Sequence, residues 1–234
     1  MKKTFAVLGI GHFGFQVAIT LTQKGFEVLA IDSDEEIVEE VKDLVSQSII
    51  VDTTDEKAMR SINITNVDVA IVAIGSNVQS SLLTTALLQR MNVSEIHVRF
   101  INNLQESILK SMGIKNVIGI EKEMGIQLAN TLSTEKVGRY ISISERHSLM
   151  EIAVPGGLVN KTLKDLHIRS QFSINIVGIK TRVPTITDDG EMTFKIEMTD
   201  VPDPNYPLKK EDMLVIAGTD DNLRKFIKIG EISA

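Results

Sequence analysis

Three glycines, at positions 9, 11 and 14, follow the apolar run Phe5-Ala6-Val7-Leu8, and 18 residues beyond the last of them Asp32 closes a second apolar run, Val28-Leu29-Ala30-Ile31. This spacing is that of a βαβ unit built around a nucleotide. The first strand runs into Gly9, where the tight turn is made. Gly11 leaves bare backbone for a phosphate to approach, and Gly14 lets the next helix pack against its strand. That helix, predicted over 15–23 and stopped by Gly25, turns its unpaired N–H groups toward the anion. Asp32 then stands at the end of the second strand, where a carboxylate accepts hydrogen bonds from both ribose hydroxyls and repels a 2′-phosphate. The pocket therefore favours ATP, ADP or NAD over NADP. Asp32 can equally serve as a helix N-cap, and the two roles are compatible. Ser33-Asp34-Glu35-Glu36 has capping-box spacing, and the acids from Asp34 to Glu40 form a solvated helix face rather than a metal cluster.

Composition narrows the field. A chain of 234 residues with 43% apolar content holds one large or two modest domains. A net charge of −6 with interspersed signs leaves no basic face for nucleic acid. Zero cysteines excludes disulfides, thiolate zinc sites and cysteine nucleophiles, and fits the cytosol. The opening Met-Lys-Lys-Thr-Phe-Ala-Val-Leu has the outline of a signal peptide. The glycine spacing and Gln16 argue against that reading, because cleavage would remove the first strand. A later apolar run, 69–74, is far short of the ~18 residues needed to span a bilayer, so any membrane role must come through a partner.

Apolar strand-like runs at 48–51, 67–75, 95–100 and 116–120 alternate with helix-like segments at 35–45, 56–62, 79–91, 105–112 and 123–132. Such alternation predicts a Rossmann-like, doubly wound parallel α/β sheet of six strands. Ligands of these sheets sit beyond the carboxyl ends of the strands, which gathers Asp32, Asp52, Gly75-Ser76-Asn77, Arg99 and Glu121 near one edge. After about Lys136 the pattern changes. Strands are predicted at 139–144, 148–154, 174–180 and 213–217, with a short helix at 163–166 and a last helix at 220–227. Asp188-Asp189-Gly190 predicts a hairpin turn, and Pro202, Pro204 and Pro207 mark a loop. The expected organisation is a nucleotide-binding domain over 1–136 and a small α+β domain over 137–234.

The stretches Gly9-Ile10-Gly11-His12-Phe13-Gly14, Ala73-Ile74-Gly75-Ser76-Asn77-Val78-Gln79-Ser80-Ser81 and Ile120-Glu121-Lys122-Glu123-Met124-Gly125 resemble those of RCK-domain gating subunits of bacterial potassium transporters, the KtrA/TrkA family. The resemblance covers almost the whole chain. It implies a cytosolic, non-enzymatic regulatory subunit whose ring changes shape with nucleotide and gates a membrane potassium-translocating subunit of the KtrB/TrkH type. It further implies a homodimer within an octameric ring, peripheral at the inner face of the membrane through that partner.

Residue by residue, the resemblance places Gly9, Gly11, His12, Phe13 and Gly14 at the phosphates of ATP, ADP or NAD(H), and Asp32 with Ser33 at the ribose. Asp52 and Thr53 lie where adenine packs, and Ala73, Ile74, Gly75, Ser76 and Asn77 line the turn after the fourth strand. Arg99 is a basic position that approaches the phosphates, although an ordinary surface salt bridge accounts for it equally well. Thr53 or Thr54 alternatively caps the helix at Glu56. His12 stands where the family commonly has an arginine. A histidine is cationic only when protonated, which implies a weaker or more pH-dependent grip on a γ-phosphate. Glu121, read as the end of the sixth strand, matches a glutamate that meets its symmetry mate at a divalent or sodium cation. It can instead be a carboxylate at a helix N-terminus.

In the C-terminal lobe, the segment 168–176, with Ile168, Arg169, Asn175 and Ile176, loosely resembles the one with which some relatives bind cyclic di-AMP at a two-fold axis. A dimerising strand has the same pattern. The rival class is an NAD-dependent oxidoreductase, but the tail offers only His147 and His167 as acid or base, neither with a partner in sequence. A free-standing nucleotide sensor differs only in lacking a transport partner.

Overall fold

A computed structural model describes residues 2–133, 137–187 and 189–232. The chain divides into two compact units, Met1–Glu123 and Met124–Ala234. The sequence boundary at 136/137 falls at residues 134–136, which lie outside the described residues. Among the described residues no helix is long and apolar enough to cross a membrane.

The first unit alternates strand and helix: β1 (Thr4–Leu8), α1 (His12–Gln23), β2 (Glu27–Asp32), α2 (Glu35–Val41), β3 (Gln47–Ile50), α3 (Glu56–Ser61), β4 (Val69–Val72), α4 (Val78–Arg90), β5 (Glu95–Arg99), α5 (Asn103–Ser111), β6 (Asn116–Ile118) and α6 (Ile120–Leu132), which runs on into the second unit. All six strands are parallel, in the order β3-β2-β1-β4-β5-β6. The expected doubly wound sheet is therefore present. Its central strands are apolar at successive positions because both faces are covered. Ala6 and Leu8 of β1 and Ala70 and Val72 of β4 pack into one core layer, whereas Val7, Val69 and Ile71 pack into the other. The chain reverses direction in the sheet between β1 and β4, opening a crevice at the carboxyl edge.

Helix boundaries follow their caps. Asp34 caps α2 by accepting from the N–H groups of Glu36 and Ile37, so the cap is Asp34 rather than Ser33 or Asp32. Asp55 caps α3 in place of Thr53 or Thr54, and Asn77 and Asn102 cap α4 and α5. Each supplies a carboxylate or amide oxygen at the N-cap, a stronger acceptor arrangement than a threonine hydroxyl. Helix α6 begins at Ile120, three residues before the predicted start. Glu121 therefore lies in its first turn rather than at the end of β6.

The second unit contains β7 (Val137–Ser144), β8 (His147–Ala153), α7 (Leu163–Leu166), α8 (Ile168–Phe172), β9 (Asn175–Ile186), β10 (Met192–Thr199), β11 (Met213–Thr219) and α9 (Asp220–Ile232). Its sheet is antiparallel in the order β10-β9-β11-β8-β7. One face packs on α9 through Leu223, Phe226 and Ile227, with the Phe226 ring edge-on to Phe172 at 5.2 Å between centroids. The hairpin between β9 and β10 closes through Gly190 N–H to Thr187 O; Asp188, part of the predicted turn, lies outside the described residues.

Before β11, the buried Asp212 accepts from the Tyr206 hydroxyl at 3.0 Å and from the Lys209 N–H at 2.9 Å. Burial, and then the hydrogen bond to this carboxylate, push the Tyr206 hydroxyl up to about 12. Folding favours the neutral phenol, so the stabilisation is complete below the ordinary value of 10.0 and is lost as pH rises through about 12. In an alkaline absorbance titration, Tyr206 is expected to ionise late, and Tyr206→Phe should remove that late phase. If Tyr206→Phe instead removed a phase at the ordinary tyrosine value, the bond would be contradicted.

Candidate nucleotide site

Beyond the carboxyl ends of the parallel strands lies a cavity of about 800 Å³. Every strand of the sheet leads a residue into its wall. Gly9, Gly11, His12 and Phe13 follow β1; Asp32 and Ser33 come from β2 and its turn; Asp52 and Thr53 follow β3. Ala73, Ile74, Gly75, Ser76 and Asn77 follow β4, Arg99 ends β5, and Ile120 follows β6. Fourteen of the fifteen residues predicted to hold a nucleotide thus meet on one surface; Gly14 stands behind it.

The glycine turn is built as its spacing requires. Gly9 has φ +92°, and a Cβ there would stand 2.9 Å from the Ile74 side chain. At Gly14 a Cβ would overlap the carbonyl oxygen of Gly9, so this glycine lets α1 start directly out of the turn. A Cβ on Gly11 would meet nothing within 4 Å, because that position faces the cavity. Gly11 is the N-cap of α1 and no side chain caps the helix, in contrast to the caps of α2, α3, α4 and α5. The first N–H groups of α1 lack helical acceptors and carry the positive end of the helix dipole. They face the cavity wall as donors of the kind to which an anion binds.

Asp32 braces this turn. One carboxylate oxygen accepts from the Ile10 N–H at 2.6 Å and the other from the Asp34 N–H at 3.1 Å. The carboxylate therefore holds the glycine turn and lines the cavity at the same time. Asp52 accepts from both the N–H and the hydroxyl of Thr54, which lowers its carboxyl below the ordinary carboxylate value. Thr53 is buried with its hydroxyl on that of Thr84 at 2.7 Å.

Arg99 is the single lysine or arginine among the described wall residues. Its guanidinium packs on Gly75, where a Cβ would stand 2.6 Å from Nη1, and lies 5.9 Å from the Phe13 ring centroid. Nη2 donates to Glu121 Oε1, while Nε is buried with no hydrogen-bond partner among the described residues. Arg99 thus lines the cavity and makes the salt bridge at the same time. A bond to its own backbone N–H, and then Arg99, hold the Glu121 carboxyl below the ordinary value. Among the described residues no three histidine or acidic side chains cluster as a metal set.

Asp34, Ile37, Val51, Ser80 and Ile120 also line the cavity without having been singled out in sequence. Asp34 belongs to the predicted capping sequence, Ser80 and Ile120 lie in stretches that carry the resemblance, and Ile37 and Val51 fall within a predicted helix and strand. In the second unit, a separate cavity of about 560 Å³ brings Ile168, Arg169, Asn175 and Ile176 together with Lys164, His167, Pro202 and Pro204. The segment 168–176 is not one strand: α8 carries Ile168 and Arg169, and β9 starts at Asn175. Ile168, only 5% exposed, belongs mainly to the core of this unit.

A doubly wound sheet with an uncapped glycine turn over an open cavity, followed by a separate antiparallel unit, is the build of an RCK-type regulatory protein. Residues 5–120 match the TrkA-N domain and residues 149–229 the TrkA-C domain. The chain is 35% identical to Ktr system potassium uptake protein C of Bacillus subtilis, over 97% of each chain. It is 33% identical to Ktr system potassium uptake protein A of the same organism, over 96% of each. It belongs to the KtrA/TrkA family of potassium uptake regulatory subunits. The fold also matches the GsuK channel, with a TM-score of 0.65 and 14% identity over 97% of this chain and 39% of the channel's. The same channel bound to NAD gives a TM-score of 0.62 at 14% identity, over 95% and 38%.

Proposed function

We propose that this protein is an adenine-nucleotide sensor that gates a membrane potassium-translocating subunit from the cytoplasmic side. The observation that carries the reading is the open cavity at the switch point of the sheet, with bare α1 N–H groups, Arg99 and Asp32 on its wall, in a chain of the Ktr family. Phosphates lie against the turn from Gly9 to Phe13, with Arg99 supplying the positive charge that the N-terminus of α1 supplies only in part. The ribose lies at Asp32 and Ser33, and the base lies toward Val51, Asp52 and Thr53. Asp32, Asp34 and Asp52 give this end of the cavity a negative character that disfavours a 2′-phosphate. ATP, ADP and NAD(H) all satisfy this geometry, as the NAD-bound GsuK channel illustrates for a similar fold. In one chain Glu121 has Arg99 as its counter-charge, so a cation there needs a second carboxylate from another copy, as a homo-oligomeric ring would supply. The second-unit cavity, with Arg169 and Asn175 exposed and Ile176 beside them, is the candidate for cyclic di-AMP.

Gating is a population shift. Nucleotides move a ring only by binding its two shapes unequally, and a tenfold ratio is about 1.4 kcal/mol per site, multiplied over the sites of the ring. Vesicles carrying the matching membrane subunit should conduct potassium differently in ATP and in ADP once this protein is added. Flux indifferent to both protein and nucleotide would leave a free-standing sensor, and turnover of NADH with an oxidant would replace the reading by an oxidoreductase.

Asp32→Asn tests the ribose contact: the amide oxygen still accepts the Ile10 N–H, while the charge and the bond from the Asp34 N–H are lost, so the binding result is taken with an unchanged melting temperature. Calorimetry should show adenine nucleotide bound about tenfold more weakly, the scale of one charge-assisted hydrogen bond of about 1.5 kcal/mol. Unchanged affinity would remove Asp32 from the site.

A further inference from the structure

Strand β10 is the outer strand of the antiparallel sheet, paired among the described residues only with β9, and all eight of its residues are exposed. It reads Met-Thr-Phe-Lys-Ile-Glu-Met-Thr, so Met192, Phe194, Ile196 and Met198 share one face and Lys195 and Glu197 the other. Met192 is 81% exposed, Phe194 61% and Ile196 59%. The register against β9 runs without a shift from Met192↔Ile186 to Thr199↔Ile179, and the strand holds no proline. Such an edge offers a row of free N–H and C=O groups to another strand, and none of the usual protections except one lysine blunts it.

The charge pattern says which strand fits. A two-fold axis that joins two copies of an edge antiparallel stands perpendicular to the sheet, so opposed residues share a face. Centring on Lys195 would oppose lysine to lysine, and centring on Glu197 would oppose glutamate to glutamate. Centring on Phe194 sets Glu197 against Glu191; centring on Thr193 pairs Lys195 with Glu191 but sets Glu197 against Asp189; and centring on Met198 leaves Lys195 and Glu197 opposite uncharged residues. Centring on Ile196 opposes each Lys195 to a Glu197, Phe194 to Met198, Thr193 to Thr199 and Ile196 to itself. Lys195 and Glu197 stand 3.6 Å apart along their own strand, and the two-fold gives each a second counter-charge. Cross-strand pairs of opposite charge, and of aromatic with thioether, stabilise a sheet, whereas like charges directly opposed destabilise it.

We infer that β10 pairs antiparallel with β10 of a second copy about Ile196, joining the two five-stranded sheets into one and running their apolar stripes together. The contact is independent of any nucleotide and lies entirely within the second unit.

The absence of native cysteine makes the register directly readable. In the full chain, Ile196→Cys is expected to give a disulfide-linked dimer under mild oxidation, since the two positions are opposed. Met192→Cys is not, because eight residues of register put its copies roughly 26 Å apart at ~3.3 Å per residue. Adding Glu197→Lys to Ile196→Cys should slow cross-linking roughly tenfold by opposing lysine to lysine twice, and adding Lys195→Glu as well should restore it. The positions are exposed, and an unchanged melting temperature for each variant confirms the fold. Cross-linking at 196 no faster than at 192 overturns the pairing. So does a charge swap that fails to rescue, as face-to-face packing of the two sheets would predict.

Discussion

Gly14→Ala is expected to destabilise the first unit by about 1 to 3 kcal/mol, the cost of forcing an extra methyl into a filled site. Helix propensity argues the opposite. Position 14 lies inside α1, where alanine ordinarily gains up to ~1 kcal/mol over glycine. Packing wins because the added Cβ would overlap the Gly9 carbonyl oxygen and stand 3.2 Å from the Ala73 Cβ. Gly9 has little freedom to retreat. Its N–H is bonded to Ile31 O at 2.8 Å, and its own missing side chain faces Ile74. Against a total stability of roughly 5 to 15 kcal/mol the loss is large, and it should appear as a lower midpoint in chemical denaturation. An unchanged or raised midpoint would mean that the turn yields where the packing says it cannot.

Gly11→Val should do the reverse. The backbone at this position, φ −63° and ψ −179°, is open to any residue, and the new Cβ meets nothing within 4 Å. The fold is expected to persist with a near-native melting temperature. Nucleotide binding should fall by about a hundredfold or more, because the valine fills the space in which a phosphate would reach the bare N–H groups of α1. Losing two charge-assisted hydrogen bonds of about 1.5 kcal/mol each is enough for that factor. Retained affinity would show that the phosphates do not lie on this turn. The pair of variants separates the two jobs of the motif: one glycine lets the helix start, and the other leaves room in front of it.

The carboxyl-edge residues were legible because strand, turn and helix alternate in order and a parallel sheet has one ligand edge. Asp32, Gly75 and Arg99 each follow an apolar strand run, so their convergence needed no knowledge of contacts. Helix caps were read less well. Threonine and serine at 33, 53 and 54 have capping propensity, but the acids at 34 and 55 took the caps, and Thr53 was drawn into a buried bond with Thr84. Spacing gives a region for the helix start; competition among neighbouring side chains for the same N–H groups picks the residue.

By itself the sequence determined the parallel, doubly wound order of the first unit, the change of architecture in the second, and the identity of the residues at the ligand edge. These follow from periodicity and from glycine's missing side chain, which are local properties. Only the tertiary structure decided what those residues do there. It put the Asp32 carboxylate on the Ile10 N–H, set the Arg99 guanidinium on Gly75 with Glu121 as its counter-charge, buried Ile168 in a core, and left β10 as an unpaired edge. Each of these depends on which distant segments the fold brings together and which it leaves uncovered, and no local pattern in the sequence records that outcome.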